Sequence, residues 1–469
     1  MYRLENNVEW TNELKDAFKH NIVRATIQHG ERAITENNYL KNLQIKECRY
    51  VPKAGFIGQA VAKMATINLI DKDKNINLEN EEVEIKIGAE YNGNTYYINY
   101  GKFIVNLAPE NDQTTDTMKL IAYDYMIKFN KNYEDRVPYP CKLKDLLTDV
   151  CSQAGVELGT QHFTNENFQV TDNQFEGKTL REVLKNIAKC AFSWARIGQD
   201  NKLYLDFEVK TQVDERLGVR DYKQEGYKTA NEYYGAINVV TYGDSDIQGQ
   251  EESKPDMEDI LLHGEKEIVI NDNYFAYTTP KRRELIQGGT HLWGLKYMPI
   301  QELKMIGLIY LDSNDIIEVE DLNGNKIKSY VFSHIIDYNG VISDQISTES
   351  ESENEQIYEN KNAAVNQNSK TEVSVDRANK RIQSISSQIG DRSEKTTTIT
   401  QDIDGIDSRV TQAENIYAEV TGQGELETEP ASPVNIAYLE IKGNKEYQDA
   451  SLFTGDTYAG DSYSNGGLI

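Results

Sequence analysis

The residues best suited to bind a metal ion lie in one acidic stretch between residues 71 and 82. Oxygen-bearing side chains occupy positions 1, 3, 5, 9 and 12 of this window, namely Asp71, Asp73, Asn75, Glu79 and Glu82. That spacing imitates a calcium-binding loop, in which carboxylate and amide oxygens ligate the ion. However, Ile76 stands where such a loop needs glycine, and strands rather than helices are predicted on either side. We therefore interpret the stretch as a solvated acidic turn and assign no metal site.

Catalytic motifs are missing from the sequence. The histidines are scattered without HExxH spacing, and neither a G-x-S-x-G elbow nor a phosphate-binding glycine loop occurs. The four cysteines form no CxxC pair, and they fit small core residues of a protein that folds in a reducing cytoplasm: Cys48, Cys141, Cys151 and Cys190. We assign no catalytic or cofactor-binding residue, and these residues are not predicted to form an enzyme.

The formal net charge of −26 limits the partners of the chain. Binding to nucleic acid needs clustered Lys and Arg to displace counterions, so sequence-specific recognition of DNA or RNA is not expected. Binding of this acidic chain to anionic membranes is equally unfavourable. The start of the chain lacks the apolar core of a signal peptide, and no run approaches the roughly 20 apolar residues that span a bilayer. We predict no stable membrane insertion.

The most regular pattern in the sequence is a heptad repeat between about residues 373 and 420. With Val375 at position a, apolar side chains fill twelve of the fourteen a and d positions, which is typical of a coiled coil. Isoleucine at both positions favours three strands over two. We predict a parallel trimeric coiled coil with ten residues at the trimer interface: Val375, Ala378, Ile382, Ile385, Ile389, Ile399, Ile403, Ile406, Val410 and Ala413.

The stability of this rod depends on its isoleucines. Six of them lie in the seam, and at about 1.5–3 kcal/mol each they supply on the order of 10 kcal/mol per chain. Gly390 and Gly405 each cost about 1 kcal/mol in a helix, and Arg392 and Thr396 interrupt the apolar seam. Two shorter helices folded back on each other are the alternative. We favour one rod of about 70 Å, because the heptad phase is unbroken across the interruption.

Residues 1–130 show the alternation of apolar and polar side chains that is typical of antiparallel strands. Residues 83–87 alternate, and the Asn92-Gly93 turn joins them to the tyrosine-rich run 96–100. Asn-Gly between two alternating runs is a strong signal for a β-hairpin. We predict that residues 1–130 form an antiparallel β domain, a first small β-barrel, with a sandwich as the alternative.

Residues 131–208, which we call the insert, are predicted to form an α/β unit with two amphipathic helices. Apolar residues recur at helical spacing from Leu143 to Ala154, and Gly155 follows as a typical helix end. In the second helix Thr179 and Glu182 match a capping box.

Residues 209–346 return to the strand pattern and are predicted to form a second β-barrel domain. Residues 347–372 are acidic and aperiodic, which indicates an extended linker before the 373–420 coiled coil. Residues 421–469 combine a linker with the start of a distal β segment. The predicted class is thus α+β, mainly antiparallel β: two small β-barrels and a helical insert, followed by a parallel trimeric coiled-coil stalk.

Three short motifs in the first half of the chain give it a resemblance to a known family. A G-x-F-x-V run at residues 101–105 precedes A-x-D-x-M-x-K-F at 122–129, and C-x-x-x-G-V follows at 151–156. Their order and spacing, with the downstream run 179–184, resemble baseplate hub or tail-tip proteins of tailed bacteriophages. The likeness is strongest to the tail-associated, minor structural proteins of phages with Gram-positive hosts. It covers about residues 50–345.

The resemblance implies a homotrimer in which two related β-barrels per chain present a pseudo-sixfold ring to the tail tube or distal tail protein. It also implies assembly in the host cytoplasm, a place at the tail tip of the virion, and a C-terminal extension that carries a fibre or receptor-binding protein. Two alternatives remain open. Instead of a hub, the chain could serve as a fibre adhesin that binds host-surface carbohydrate. The other alternative is the anchor of a peptidoglycan hydrolase located beyond residue 469.

Overall fold

The structure is a computed structural model that describes residues 1–49, 56–70, 76, 78, 80–105, 110–112, 116–173, 175–243, 251–305 and 307–348. The chain divides into the units Met1–Ala378 and Asn379–Ile469, and all described residues belong to the first. The predicted coiled coil, its ten interface residues from Val375 to Ala413, and the distal segment 421–469 lie outside the described residues. So do residues 349–372 of the predicted linker.

Strands dominate the described part of the chain. In chain order they are β1 (Val23–His29), β2 (Arg32–Thr35), β3 (Leu40–Cys48), β4 (Met64–Ile70), β5 (Glu82–Tyr91), β6 (Asn94–Val105), β7 (Glu110–Asp112), β8 (Thr117–Asp124), β9 (Cys141–Lys142), β10 (Gln169–Val170), β11 (Trp194–Ile197), β12 (Leu203–Asp206), β13 (Glu215–Leu217), β14 (Tyr222–Thr229), β15 (Tyr234–Gly235), β16 (Val239–Tyr242), β17 (Glu252–Pro255), β18 (Glu267–Ile270), β19 (Lys296–Tyr297), β20 (Ile300–Met305), β21 (Ile316–Glu320), β22 (Lys326–Tyr330), β23 (Ser333–Tyr338) and β24 (Ile342–Ser347).

The described helices are short. They are α1 (Asn12–His20), α2 (Leu143–Ala154), α3 (Leu180–Cys190), α4 (Met257–His263) and α5 (Thr279–Ile286), with 3-10 turns at Glu5–Asn7, Tyr125–Asn130 and Gln287–Leu292. Most strand pairs are antiparallel; β13 with β21 and β16 with β18 are parallel. The mainly antiparallel β character of the predicted α+β class is therefore confirmed for the described residues.

One twelve-stranded sheet joins the two regions that were predicted to be separate barrels. Its order is β14-β20-β24-β23-β3-β4-β8-β6-β5-β1-β2, and β7 pairs with β8. The connection is the antiparallel pair β23–β3, which places Ile336 opposite Ile45.

No closed barrel forms among the described strands, so the prediction of two closed β-barrels is wrong for them. The sheet instead ends at β14 and β2. A closed first barrel would need β3 to bond to the β1–β2 hairpin. The hydrogen bonds of β3 are taken by β4 on one side and by the late strand β23 on the other.

The predicted local structure is present. Tyr91 pairs with Asn94 across the Asn92-Gly93 turn, and both turn residues have positive φ, 50° and 78°, as a two-residue hairpin of type I′ requires. In the insert, α2 ends at Gly155, whose φ of 66° is left-handed. Thr179 Oγ1 accepts from Glu182 N at 3.2 Å and Thr179 N donates to the Glu182 carboxylate at 2.8 Å, which completes the capping box of α3.

Two hydrophobic cores fill this unit. One is formed largely by side chains of the twelve-stranded sheet, here called the main sheet, and includes Ile45, Ile67 and Ile85. The other packs the insert helices against the later strands and includes Leu147, Leu184, Trp194 and Phe332. The four cysteines are buried and form no disulfide, and burial raises the pKa of the Cys151 and Cys190 thiols to about 12. They are the small core residues that the sequence predicts.

Candidate functional site

A cavity of about 550 Å³ opens where the insert meets the late strands and the chain start. The insert contributes Phe163, Ser193 and Arg196 to its wall, and the later chain contributes His291 and Asn314. Behind this wall lies a cluster of buried charged residues. Neither feature was singled out in the sequence.

Glu47 is the centre of the buried charged cluster. Ser313 Oγ donates to its carboxylate at 2.7 Å, the Tyr2 hydroxyl donates to it as well, and Arg49 and Lys63 lie 3.2 and 3.6 Å away. Burial raises the pKa of Glu47, but the positive charges of Lys63 and Arg49 outweigh burial and hold it far below its usual range. Glu47 therefore stays ionised inside the protein.

Ion pairs extend from this cluster to the cavity wall. Arg49 contacts Asp312 at 3.3 Å and the carbonyl oxygen of Ser313 at 3.2 Å. Arg196, on β11 of the insert, pairs with Asp206 and lies 3.8 Å from Asp312. The cluster thus links three parts of the chain that are remote in sequence.

A second group of ion pairs surrounds Asp315. The Met1 amino group donates to Asp315 at 2.7 Å, and Lys210 Nζ lies 3.5 Å from Asp315 and 3.3 Å from Asp214. Burial raises the pKa of Asp315, and the Met1 amino group opposes that shift. Positive and negative groups therefore alternate along this side of the cavity.

The histidines near these groups are engaged by backbone or carboxylate oxygens. His291, in the cavity wall, has its ring nitrogens 2.9 Å from the Gly288 carbonyl and 3.2 Å from the Phe192 carbonyl. His334 is buried between the Leu311 carbonyl at 3.1 Å and Asp344 at 3.2 Å. Such contacts position both rings.

The acidic stretch 71–82 is described only in part. Asp71, Asp73, Asn75 and Glu79 lie outside the described residues. Glu82 is described and pairs with Lys102 at 2.6 Å, and Ile76 is buried. Among described residues, no group of three His, Cys, Asp or Glu side chains is arranged to hold a metal ion. In the same residues, no helix is long and apolar enough to cross a membrane.

A signal for the buried cluster was available in the strand pattern. Leu43 and Ile45 of β3 point inward, and Glu47 falls in the same phase. Lys63, just before β4, is likewise in phase with the buried Ala65 and Ile67. A charged residue at an inward position of a strand predicts a buried partner of opposite charge.

Asp124, in the A-x-D-x-M-x-K-F motif, is a buried carboxylate that caps the 3-10 turn after β8. Its side chain accepts from Met126 N at 3.1 Å. Burial raises the pKa of Asp124 to about 6, and Lys63 only partly offsets the rise. Asp124 thus binds a proton more tightly in the folded protein than in the unfolded chain, where the pKa is about 3.9.

We expect Asp124 to make stability fall as pH rises. Its stabilising contribution is complete below the unfolded pKa near 4 and is lost as pH passes about 6. The rise in the pKa of Asp124 from about 4 to about 6 corresponds to about 3 kcal/mol of unfolding free energy. Urea unfolding of Asp124→Asn should lack this decline between about pH 4 and 6, while Asn still caps the turn. The same change at the exposed Asp16 serves as control. If the unfolding free energy changes equally with pH in the wild type and in Asp124→Asn, the raised pKa of Asp124 is contradicted.

With the geometry described, the chain can be compared with known proteins. No family model matches the sequence, and no curated protein matches it. Among solved structures, the chain is similar to the 43 kDa tail protein of prophage MuSo2 from Shewanella oneidensis. The TM-score is 0.44 and the identity 13%, over 69% of this chain and 97% of that one.

Two further solved structures show a similar degree of likeness. Prophage tail protein gp18 from Listeria monocytogenes has a TM-score of 0.43 and 8% identity, over 75% of this chain and 99% of that chain. A chain of the Francisella PdpA-VgrG complex has a TM-score of 0.41 and 10% identity, over 74% and 63%. Phage tail proteins, the class noted as a resemblance in the sequence, are thus found among the similar structures, which come from several bacterial hosts and do not establish a Gram-positive one.

Proposed function

We propose that this chain is a structural protein of a phage or prophage tail, namely a baseplate hub or tail-tip subunit. It trimerises to close the tail tube and carries a distal fibre or receptor-binding extension. The observation that carries the proposal is that the resemblance motifs lie on elements where the main sheet continues into the insert. They end β6, span β8 and the 3-10 turn, and end α2.

The motif residues have structural roles at that junction. Gly101 has a φ of 93°, and a Cβ there would lie 3.0 Å from Asn201 Oδ1 of the insert. Phe103, Met126 and Phe129 are fully buried, and Asp124 caps the turn between them. Residues of the first two motifs therefore contribute to the junction between the main sheet and the insert.

The remaining parts of the proposal come from the sequence. The heptad repeat supports a homotrimer, and a trimer suits a chain that closes a tube. The charge of −26 favours docking to basic ring proteins of the tail, such as a distal tail protein or tube ring. Two of the similar solved structures are prophage tail proteins, the class to which the sequence resemblance points.

We expect a charge in the predicted seam to dissociate the trimer. Ile385→Glu places carboxylates against one another at a d position, where burial of charge is unfavourable. The full-length wild type should sediment at three times the mass of one chain, and Ile385→Glu as a single chain. Ser384→Glu, at a solvent-facing c position, is the matched control and should remain trimeric. A wild-type monomer at micromolar concentration would overturn the trimer.

The proposed location of this chain at the tail tip of the phage particle is tested separately from its oligomeric state. Antibody labelling of intact particles in the electron microscope is expected at the tail end distal to the capsid. Label along the tail tube, on the capsid, or on no particle would refute the hub assignment, whatever the oligomeric state proves to be.

A further inference from the structure

Helix α4 carries the two most exposed large apolar side chains among the described residues. Leu261 and Leu262 are 82% and 78% exposed, and Met257 at the start of the helix is 60% exposed. None of the seven residues of α4 is buried. Exposed apolar side chains that occur singly are normal on a protein surface, whereas several side by side mark a contact site. Helix α4 is therefore a candidate interaction surface.

Polar contacts hold α4 in place without burying its leucines. The side chain of Asn238, a buried residue just before β16, donates to the Gly264 carbonyl at 2.7 Å and to the Asp259 carboxylate at 2.8 Å. Asp256 caps the start of the helix, where its side chain accepts from Asp259 N at 3.3 Å. Because these hydrogen bonds fix both ends of α4, its exposed apolar side chains are presented to a partner on a fixed support.

The surroundings of α4 are acidic. Segment 251–267 contains seven carboxylates against two lysines and one histidine. Arg283 lies 2.7 Å from the Glu252 carboxylate, but the segment remains net negative, and Glu258 and Glu265 are exposed. If two copies of this segment met, their carboxylates would repel one another, whereas lysine or arginine on a different partner would attract them. Charge complementarity therefore favours a basic partner over a second copy of this chain.

The exposed apolar side chains form a short ridge, which we call the α4 ridge. Met257 and Leu261 lie four residues apart and therefore on the same side of the helix, and Leu262 is next to Leu261. The helix is about 10 Å long, and a convex ridge of this size cannot enclose a small molecule as ligand pockets do. In protein interfaces, by contrast, a few apolar side chains within a polar rim contribute most of the binding energy. The α4 ridge and its acidic surroundings fit a protein partner.

We propose that the α4 ridge is a docking surface for a partner protein that presents an apolar surface bordered by lysine or arginine. Met257, Leu261 and Leu262 are the apolar anchors, and Glu258 and Glu265 face the basic border of the partner. This surface depends neither on the predicted coiled coil nor on the proposed place of the chain in a phage tail.

Docking is tested with the full-length chain and a defined probe, a fluorescein-labelled synthetic amphipathic helix of leucine and lysine. Fluorescence anisotropy should show binding with a Kd on the order of 10 μM, and binding should weaken as salt is added. Leu261→Gln combined with Leu262→Gln keeps good helix formers in α4 and should weaken binding by about 10-fold or more. Glu258→Gln combined with Glu265→Gln should weaken it by about 3-fold at low salt. The matched control is Leu322→Gln, at a leucine that is 66% exposed in the β21–β22 turn, and it should bind like the wild type.

The docking surface is refuted if the double leucine variant binds the probe as well as the wild type, or if a probe with glutamate in place of lysine binds more tightly. A lower sedimentation mass of the double leucine variant would show that a second copy covers α4. Flotation of the wild type, but not of this variant, with phosphatidylcholine vesicles would show a lipid surface instead. Either result overturns the proposal.

The urea midpoint decides whether the α4 ridge is available to a partner at all. Substitutions of exposed residues change stability little, so the double leucine variant should unfold at the wild-type midpoint. A lower midpoint would mean that the chain itself covers these leucines, and it would overturn the docking surface.

Discussion

Replacing Glu47 with glutamine is expected to destabilise the described unit by about 3–5 kcal/mol at neutral pH, because the change removes the buried carboxylate that Lys63 and Arg49 share. These cations lie 3.6 and 3.2 Å from the Glu47 carboxylate, and all three side chains are buried. The effect should appear as a lower urea midpoint for the main unfolding transition, followed by circular dichroism.

The pH dependence separates loss of charge from loss of packing. Since Lys63 and Arg49 hold the pKa of Glu47 below its unfolded value, its stabilising contribution is present above about pH 4.3 and is lost at lower pH. The gap between wild type and Glu47→Gln should therefore narrow as pH falls below about 4. A gap that is constant with pH would refute the electrostatic explanation.

A matched control is available on β5 of the same sheet. Glu84 of β5 contacts Lys86 at 3.0 Å, but both side chains are about one quarter exposed. Glu84→Gln should cost less than about 1 kcal/mol, because solvent screens such pairs. Equal losses for the two glutamine variants would mean that burial of the Glu47 cluster does not matter.

The second large effect is expected for Trp194→Ala, at about 3–5 kcal/mol. The Trp194 ring lies 5.1 Å from Phe56, 4.5 Å from Phe207 and 5.2 Å from Phe332, and its Nε1–H donates to the Phe56 carbonyl. These partners come from the first segment, the insert and the late strands. The cavity left by alanine would therefore loosen all three together.

Chemical unfolding and limited proteolysis measure this prediction. Trp194→Ala should lower the urea midpoint, and protease should cut the insert faster in the variant. Trp194→Phe keeps an aromatic ring but loses the hydrogen bond, so a smaller loss is expected. If Trp194→Ala unfolds at the wild-type midpoint, the aromatic cluster does not hold the segments together.

Local elements were predicted well because their determinants lie within a few residues of one another. The Asn92-Gly93 hairpin needs only two residues that accept positive φ between alternating runs. The α3 capping box needs only Thr179 and Glu182, three positions apart. The heptad repeat is equally local, and its ten interface residues remain a prediction, since they lie outside the described residues.

Strand partners were not predictable in the same way. Alternation indicates which face of a strand is buried, but many alternating strands are interchangeable as neighbours. The prediction of closed barrels assumed pairing within each segment. In the structure, β3 pairs with β23, almost 300 residues later, and Ile45 lies opposite Ile336.

By itself, the sequence determined the mainly β class, the two insert helices with their caps, and the residues that resemble phage tail proteins. Only the tertiary structure decided that one open sheet unites both β regions and that Glu47 meets Ser313 across 266 positions of sequence. The same is true of the cavity wall, where Ser193 joins Asn314. The physical reason is that turns and caps are hydrogen-bonded between near neighbours in the sequence. A buried charge cluster or a cavity, in contrast, forms only when distant strands pair.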